Sequence, residues 1–288
     1  LGLYYEHLGL DELAWDRYAQ ALAVCPSWAG SGFWTAEPDR AAAWTEILDR
    51  TEKLAESAAP QRRAYVMAIV AWAQGNALLA EQEALLAIAA APEWTDGYLW
   101  LARSLLDQGR VSEALEAAEQ AVALEPLRSD VAAVLGCARY AAGDAARAES
   151  DLRYALFLPV VSPFVPVGSR EHAYACLAEL YRDRGDTNSA IWSYERAIDP
   201  RVVSQNVEVT LYGRLAGFDL LPTIVRIRLG EHEATPWLRL ADLYEQDGRW
   251  EDARRVYLAL LAEDPYLAAA HERLDALPLP RLVSMSSE

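Results

Sequence analysis

Residues 61–162 consist of three consecutive segments of 34 residues, QRRAYVMAIVAWAQGNALLAEQEALLAIAAAPEW (61–94), TDGYLWLARSLLDQGRVSEALEAAEQAVALEPLR (95–128) and SDVAAVLGCARYAAGDAARAESDLRYALFLPVVS (129–162). The same pattern returns at 171–204 and 234–267, and a partial copy opens the chain at 1–28. Repeats of this length are typical of stacked helical units, so the repeat decides the fold class.

The aligned copies share four columns. A glycine stands in the middle of every copy, at Gly9, Gly75, Gly109, Gly143, Gly185 and Gly248. An alanine follows five residues later, at Ala14, Ala80, Ala114, Ala148, Ala190 and Ala253. A large residue precedes a small one at Leu1-Gly2, Met67-Ala68, Leu101-Ala102, Leu135-Gly136, Leu177-Ala178 and Leu240-Ala241. Each copy closes near a proline, at Pro26, Pro92, Pro126, Pro159, Pro200 and Pro265.

These columns predict two helices in each copy. Glycine supplies the positive φ that ends the first helix, and proline ends the second. The small residues let two helix axes approach closely, and large residues fill the space beside them.

The copy at 234–267 shows the pattern best, with Trp237, Leu240-Ala241, Tyr244, Gly248, Ala253, Tyr257 and Pro265. It resembles the tetratricopeptide repeat family, and the resemblance covers about two-thirds of the chain. The resemblance implies an all-α fold, a right-handed α-solenoid of helix-turn-helix repeats, with a small irregular or β-rich insert near 203–230. It says little about function, because packing residues define the family.

The expected organisation follows from the copies and the gaps between them. It comprises a partial repeat (1–28), a divergent Trp-rich repeat (29–60), three contiguous repeats (61–162), a loop insert (163–170), a repeat (171–204), a divergent insert (205–233), a repeat (234–267) and a terminal helix and tail (268–288).

Two segments depart from the pattern. Residues 28–38 carry Trp28, Phe33 and Trp34, and a helix is expected from Asp39 onward with Trp44, Ile47, Leu48 and Leu54 on one face. The aromatic loop is either a docking element or packs on the neighbouring repeats. The insert at 205–233 is rich in β-branched residues, with Gly213, Gly217 and Pro222 between two such runs. It is either a β-hairpin or a degenerate helical repeat.

Composition narrows the classes of function. The net charge is -17, and an acidic surface repels phosphate backbones, so nucleic acid is not an expected partner. No apolar run approaches the ~20 residues that span a bilayer, and no signal peptide is recognisable, so a soluble chain without direct membrane insertion is expected. Because the chain begins without Met, we expect that a preceding segment has been removed or left out. The compartment stays open, cytoplasmic or extracellular after processing.

A search for chemistry predicts no enzyme, no metal and no cofactor. Cys25, Cys137 and Cys176 are far apart and odd in number, and buried thiols rather than a disulfide framework are expected. The histidines lie in different repeats without an HExxH motif, and the run Glu231-His232-Glu233 is assigned to a polar turn. Phosphate-binding and dinucleotide-binding loops are absent from the sequence.

The resemblance implies that the first helix of each repeat lines a concave groove. By register, the partner-binding residues are Tyr65, Ile69, Trp72, Leu99, Trp100, Arg103 and Tyr140. This part is apolar and aromatic, whereas the C-terminal part of the groove is charged. Such a groove suits a helix, an aromatic-bearing peptide or the chain's own inserted loop. Lysine and asparagine, which some family members use to clamp acidic chaperone tails, are missing from these positions.

The two ends suggest a second hypothesis. Stacked repeats need polar caps, yet apolar residues are expected at both ends, at Leu1, Leu3, Tyr4, Leu8, Leu267, Leu274 and Leu277. The first hypothesis is therefore a non-catalytic scaffold that binds another protein. The second is a subunit that self-assembles head-to-tail into a filament or ring. The third is the soluble region of a larger membrane protein or enzyme.

Overall fold

The computed structural model describes residues 1–26, 29, 33–158, 168–199, 205–211, 214–215, 218–219, 223–229, 234–263, 265 and 267–278. Its elements are, in chain order, α1 (Gly2–His7), α2 (Asp11–Val24), α3 (Phe33–Ala36), α4 (Pro38–Ala42), α5 (Trp44–Ala58), α6 (Pro60–Ala73), α7 (Ala77–Ala90), α8 (Thr95–Asp107), α9 (Val111–Leu124), α10 (Ser129–Ala141), α11 (Ala145–Phe157), α12 (Gly168–Asp183), α13 (Thr187–Ile198), β1 (Gln205–Leu211), β2 (Arg214–Leu215), β3 (Phe218–Asp219), β4 (Thr223–Leu229), α14 (Thr235–Gln246), α15 (Trp250–Glu263) and α16 (Ala268–Ala276).

The same glycine turn joins the two helices of each regular pair. The turn glycines have φ between 68° and 83°, as the sequence predicts. Each glycine N–H donates to the carbonyl three residues earlier, and the next N–H donates to the carbonyl five residues earlier. This is the Schellman motif, which satisfies carbonyls left over at the end of the first helix.

Consecutive pairs stack into an α-solenoid. The second helices α7, α9 and α11 each pack against their own first helix and against the first helix of the next repeat. The first helices α6, α8, α10 and α12 also contact one another in sequence. Apolar residues between neighbouring helices form successive buried clusters along the chain. The core is therefore an elongated series of interfaces between neighbouring repeats.

The small-residue column lies where the helices of a pair come closest. Ala68, Ala102, Ala178 and Ala241 are fully buried there. At Gly136, an added Cβ would lie 2.6 Å from Leu152 Cγ and 3.2 Å from Leu152 N. A close approach of α10 to α11 therefore requires glycine at this position.

A tyrosine on the second helix is hydrogen-bonded to a glutamate on the first helix in three pairs. The hydroxyls of Tyr18, Tyr257 and Tyr194 donate to Glu6 Oε2 (2.5 Å), Glu245 Oε1 (2.6 Å) and Glu179 Oε1 (2.5 Å). Each tyrosine stands nine residues after its turn glycine. Their rings are almost completely buried, so each glutamate supplies an acceptor for a buried hydroxyl.

Residues 33–58 form a repeat whose first helix is broken. The expected helix from Asp39 is instead the short α4 followed, after Ala43, by α5, and Leu54 is 41% exposed rather than on the apolar face. Phe33 and Trp34 are buried against Tyr18, with ring centroids 5.4 and 5.7 Å away. These aromatics therefore pack on the neighbouring repeat. Trp28, Gly30 and Gly32 lie outside the described residues.

Arg40 on α4 is almost completely buried within this aromatic cluster. Its Nη2 is 2.9 Å from Glu6 Oε2, and its guanidinium carbon lies 3.6 Å from the ring centroid of Phe33. It also donates to the backbone carbonyl of Phe33. The Arg40–Glu6 pair thus ties the broken repeat to α1.

Extended strands occupy the insert between α13 and α14. Strand β1 pairs antiparallel with β4, with Gln205 opposite Leu229 and Leu211 opposite Thr223. Strand β2 pairs antiparallel with β3. The two β-branched runs noted in the sequence are therefore a strand pair, whereas Gly213, Gly217, Pro222 and the run 231–233 lie outside the described residues.

The last three residues of the loop expected at 163–170 are helical. Residues 168–170 belong to α12, which begins at Gly168, while 163–167 and the nearby Pro159 lie outside the described residues.

The last described helix covers the end of the solenoid. Leu277 of the following turn is buried, and Leu267 and Leu274 pack partly buried against the same apolar cluster. The exposed residues of α16 include His271, Glu272, Arg273 and Asp275. The uncapped C-terminal end expected from the sequence is therefore covered by a helix with a polar outer face. The tail from 279 onward lies outside the described residues.

Candidate functional site

The surface formed by α6, α8, α10 and α12 carries all the residues assigned to partner binding. We call it the first-helix face. Tyr65 and Ile69 lie on α6, Leu99, Trp100 and Arg103 on α8, and Tyr140 on α10. Because adjacent first helices are in direct contact, the structure brings these residues onto one side of the solenoid.

Most of these side chains are buried within the chain itself. Tyr65, Ile69, Leu99, Trp100 and Arg103 are each less than a tenth exposed. Sequence register assigns each side chain to a helix face, but the extent to which adjacent helices cover it depends on how tightly the solenoid curves. A partner cannot reach these five side chains in this conformation.

Trp72 is half-buried near the C-terminal end of α6. Its ring centroid lies 5.3 Å from that of Trp100, with the planes at 65°. The guanidinium of Arg103 lies 4.8 Å from the Trp100 centroid and 5.6 Å from the Trp72 centroid. The carboxylate of Asp107 on α8 lies near the Trp72 indole, and burial raises its pKa. The indole is thus held on one side and open to solvent on the other.

Tyr140 on α10 is also half-buried. Its hydroxyl donates to Asp183 Oδ2 on α12 at 2.5 Å. Burial, and next the hydrogen bond to this carboxylate, raise the pKa of Tyr140. Tyr140 is the equivalent of Trp72 two repeats later, so the same position holds an aromatic side chain near an aspartate of the next first helix.

Beyond α10, charged residues are found on α12, α14 and α16. Arg182 and Arg239 both approach Glu179, the latter at 3.6 Å, and Arg273 pairs with Asp242. These side chains are half-buried or exposed. The change from apolar to charged residues predicted along the groove is therefore present in the order of the helices.

A disulfide joins Cys137 on α10 to Cys176 on α12, with Cα atoms 5.7 Å apart. This corrects the prediction of buried thiols. The residues are 39 apart in sequence, so a search for short cysteine spacings does not find them. The sequence did contain one signal for this disulfide, because the repeat register places both cysteines on the first helices of adjacent repeats.

His172 stands one helical turn before Cys176, on the same face of α12. Its Nε2 is buried and has no hydrogen-bond partner among the described residues. Burial, and next the positive charge of Arg103, hold the pKa of His172 well below its ordinary value, so the ring is neutral at pH 7. The prediction of no metal site did not take into account that His172 and Cys176 have this i, i+4 spacing.

The residues assigned to self-association differ between the two ends. Leu1, Leu3, Tyr4 and Leu8 are 75%, 59%, 39% and 52% exposed on and beside α1. Leu267, Leu274 and Leu277 instead pack inward beneath the polar face of α16. An apolar surface is therefore exposed at α1, whereas the large outward residues of α16 are polar.

In the described part of the chain, no helix combines the length and the hydropathy that crossing a bilayer requires.

Comparison with known proteins gives one family match. Residues 237–265 match the family model described as a tetratricopeptide repeat. No curated protein sequence is significantly similar to the chain.

Similar solved structures include TTC0263, a thermophilic tetratricopeptide repeat protein of Thermus thermophilus, with 21% identity, 58% of this chain and 87% of that chain covered, and a TM-score of 0.45. MamA is 17% identical over 72% of this chain and 95% of that chain, with a TM-score of 0.38. Pseudomonas aeruginosa pilF is 16% identical over 91% of this chain and 98% of that chain, with a TM-score of 0.42. These values are too low to carry an inference about function.

The matched segment coincides with α14 and α15, one of the helix pairs. The other regular pairs have the same glycine turn and the same small residue at the closest approach. The segment 237–265 therefore matches the tetratricopeptide repeat family, and the other regular helix pairs share its geometry.

Proposed function

We propose that the chain is a non-catalytic scaffold that binds a partner protein along the first-helix face. Four repeats contribute adjacent helices to this surface, so one partner segment can contact all of them. The observation that carries the proposal is the pair of half-exposed aromatics at equivalent positions, Trp72 and Tyr140. Trp72 packs on Trp100 and Arg103 of the next first helix, and Tyr140 donates a hydrogen bond to Asp183 of the next first helix.

A fixed aromatic ring with one open side is suited to anchoring a partner. Tryptophan and tyrosine are enriched at the residues that dominate binding energy, and a ring already held in place loses little conformational entropy on binding. The ring contact with Trp100 holds Trp72, and the hydrogen bond to Asp183 holds Tyr140, before a partner arrives. Trp100 and Arg103 support Trp72 from below, and we assign them a positioning role rather than direct contact.

The chemistry of the partner follows from the change along the face. Over α6 to α10 the partner segment is expected to be apolar or aromatic. Over α12 and α14 it is expected to carry charges, because Glu179, Arg182 and Arg239 are accessible there. Extended and helical segments both provide such a pattern.

The test is quantitative affinity capture from the native source of the protein, with the full chain as bait. The variant Trp72→Ala/Tyr140→Ala removes both anchors. We expect at least one captured protein to be lost with this variant and to bind the purified wild-type chain directly. Each anchor is expected to contribute about 2 kcal/mol or more, so the double variant should weaken binding by roughly 700-fold or more.

Trp192→Ala is the matched control. Trp192 is 50% exposed on α13, a second helix, and therefore lies away from the first-helix face. Capture that survives the double variant but is lost with Trp192→Ala would place binding on the second helices and overturn the proposal.

Head-to-tail self-assembly is not favoured by the described ends. The exposed leucines of α1 would have to meet the outer face of α16, which carries charged residues and a histidine. Burying those charges against leucine without partners would be costly.

A further inference from the structure

Three metal-binding side chains converge beneath the first-helix face. The sulfurs of Cys137 and Cys176 and a ring nitrogen of His172 all lie within 4.8 Å of one another. Cys137 is on α10, while His172 and Cys176 are one turn apart on α12. Neither the disulfide nor the repeat packing requires a histidine at this point.

The imidazole is the second observation that points to a ligand. Its Nε2 is buried, yet no described residue forms a hydrogen bond with it. Buried polar atoms in folded proteins nearly always have a partner, and an orphaned one calls for an explanation. A metal ion coordinated through Nε2 would satisfy this nitrogen.

Two thiolates and one imidazole are a donor set typical of zinc. In a tetrahedral zinc site the Zn–S bonds are about 2.3 Å, which places two sulfurs about 3.8 Å apart. The Cα atoms of Cys137 and Cys176 are 5.7 Å apart, so rotation of the two side chains provides this separation once the disulfide is cut. The fourth position would be taken by water.

We propose that Cys137, His172 and Cys176 form a Zn²⁺ site in the reduced protein and that the disulfide replaces this site in the oxidised protein. The same two helices would then be joined either covalently or through a metal. The proposal is independent of the partner-binding function.

The exchange balances as follows. A dithiol reductant transfers two electrons and two protons to the disulfide, yielding two cysteine thiols and becoming a disulfide itself. Binding of Zn²⁺ then releases the two thiol protons and leaves two thiolates on the metal. The two thiolates cancel the charge of the ion, so the positive Arg103 nearby faces a neutral site.

The test compares the reduced and the oxidised full chain, which have one sequence and so need no variant to fold. Zinc binding is measured under anaerobic conditions by competition with a chromophoric chelator, and Co²⁺ is used as a spectroscopic substitute. We expect the reduced chain to bind one Zn²⁺ and to give thiolate-to-cobalt charge-transfer absorption, and the oxidised chain to do neither. Equal binding by both forms, or no binding by the reduced chain, would overturn the proposal.

Variants then assign the ligands. Cys25→Ser is the matched control, because it removes the third cysteine, which lies outside the cluster. It should bind zinc like the wild type. His172→Ala in the reduced chain should weaken zinc binding by at least ~10-fold, and Cys137→Ser should abolish the charge-transfer band. Wild-type affinity in His172→Ala would show that the imidazole is not a ligand and would overturn the three-residue site.

Discussion

At the residue scale, the glycines of the repeat serve two different purposes. Gly143 needs glycine because its φ is +83°, and nothing lies within 4 Å of an added Cβ. Gly136 has ordinary helical backbone but no room beside Leu152. Sequence alignment places both glycines in columns, but only the structure separates backbone strain from close packing.

We expect Gly136→Ala and Gly143→Ala each to lower the free energy of unfolding by about 1 kcal/mol, for these different reasons. Urea denaturation measures both. Shortening Leu152 distinguishes them: in the Leu152→Ala background the cost of Gly136→Ala should vanish, whereas that of Gly143→Ala should persist. Persistence of both costs would contradict the packing explanation.

The buried tyrosines predict how stability depends on alkaline pH. Burial, and next the hydrogen bond to a glutamate, raise the pKa values of Tyr18, Tyr194 and Tyr257 above the ordinary value of 10.0. The folded state therefore keeps these protons more tightly than the unfolded state does. This contribution to stability is complete below pH 10 and is lost as the pH rises above 10 toward the folded pKa values.

An absorbance titration should accordingly show that a group of the 14 tyrosines ionises only when the chain unfolds. Tyr257→Phe should lower the free energy of unfolding by about 1–2 kcal/mol at pH 7 and make its decline above about pH 10 shallower. Tyr154→Phe is the control, because this ring is 43% exposed and its replacement should change neither quantity. An unchanged alkaline decline in Tyr257→Phe would refute the assignment.

At the element scale, the broken repeat depends on a buried ion pair. Arg40 on α4 and Glu6 on α1 have side chains that are 3% and 17% exposed. We expect Arg40→Met to destabilise the chain by about 3–5 kcal/mol, since it leaves Glu6 without its cation. The double variant Arg40→Met/Glu6→Gln should recover a large part of that loss in urea denaturation. Additive costs would mean that the pair is not coupled.

The sequence predicts regular helix pairs far better than it predicts their exceptions. Turn glycines and small residues act within one repeat, so their spacing alone gives the fold and the position of each turn. The Arg40–Glu6 contact that ties α4 to α1 joins residues 34 apart in sequence, and no local pattern contains that contact. The Cys137–Cys176 disulfide was missed for the same reason, because it joins adjacent repeats across an irregular insert.

The predicted site shows the same limit. Register assigned residues such as Leu99 and Trp100 to the first-helix face but could not show that neighbouring helices bury them. That depends on tertiary curvature. The half-exposed Trp72 and Tyr140 were named from sequence, whereas their aspartate partners were not.

At the scale of the whole molecule, the disulfide should stabilise the middle of the solenoid. Its two cysteines are 39 residues apart, and closing a loop of that length lowers the entropy of the unfolded chain by an amount equivalent to about 4 kcal/mol. We therefore expect reduction in metal-free buffer to lower the temperature at which α10 to α12 lose hydrogen-exchange protection. Cys25→Ser should leave that temperature unchanged. Equal protection of α10 to α12 in both redox states would argue against a stabilising role.

The disulfide also has a mechanical consequence. A solenoid whose repeats touch only their neighbours behaves as a spring, and tension applied to its termini can peel repeats away one after another. The disulfide between Cys137 and Cys176 prevents the chain between them from extending. That segment has a contour length of roughly 130 Å. Under tension, the oxidised protein therefore keeps its middle segment closed while other repeats unfold. Reduction of the disulfide allows this segment to lengthen as one further step.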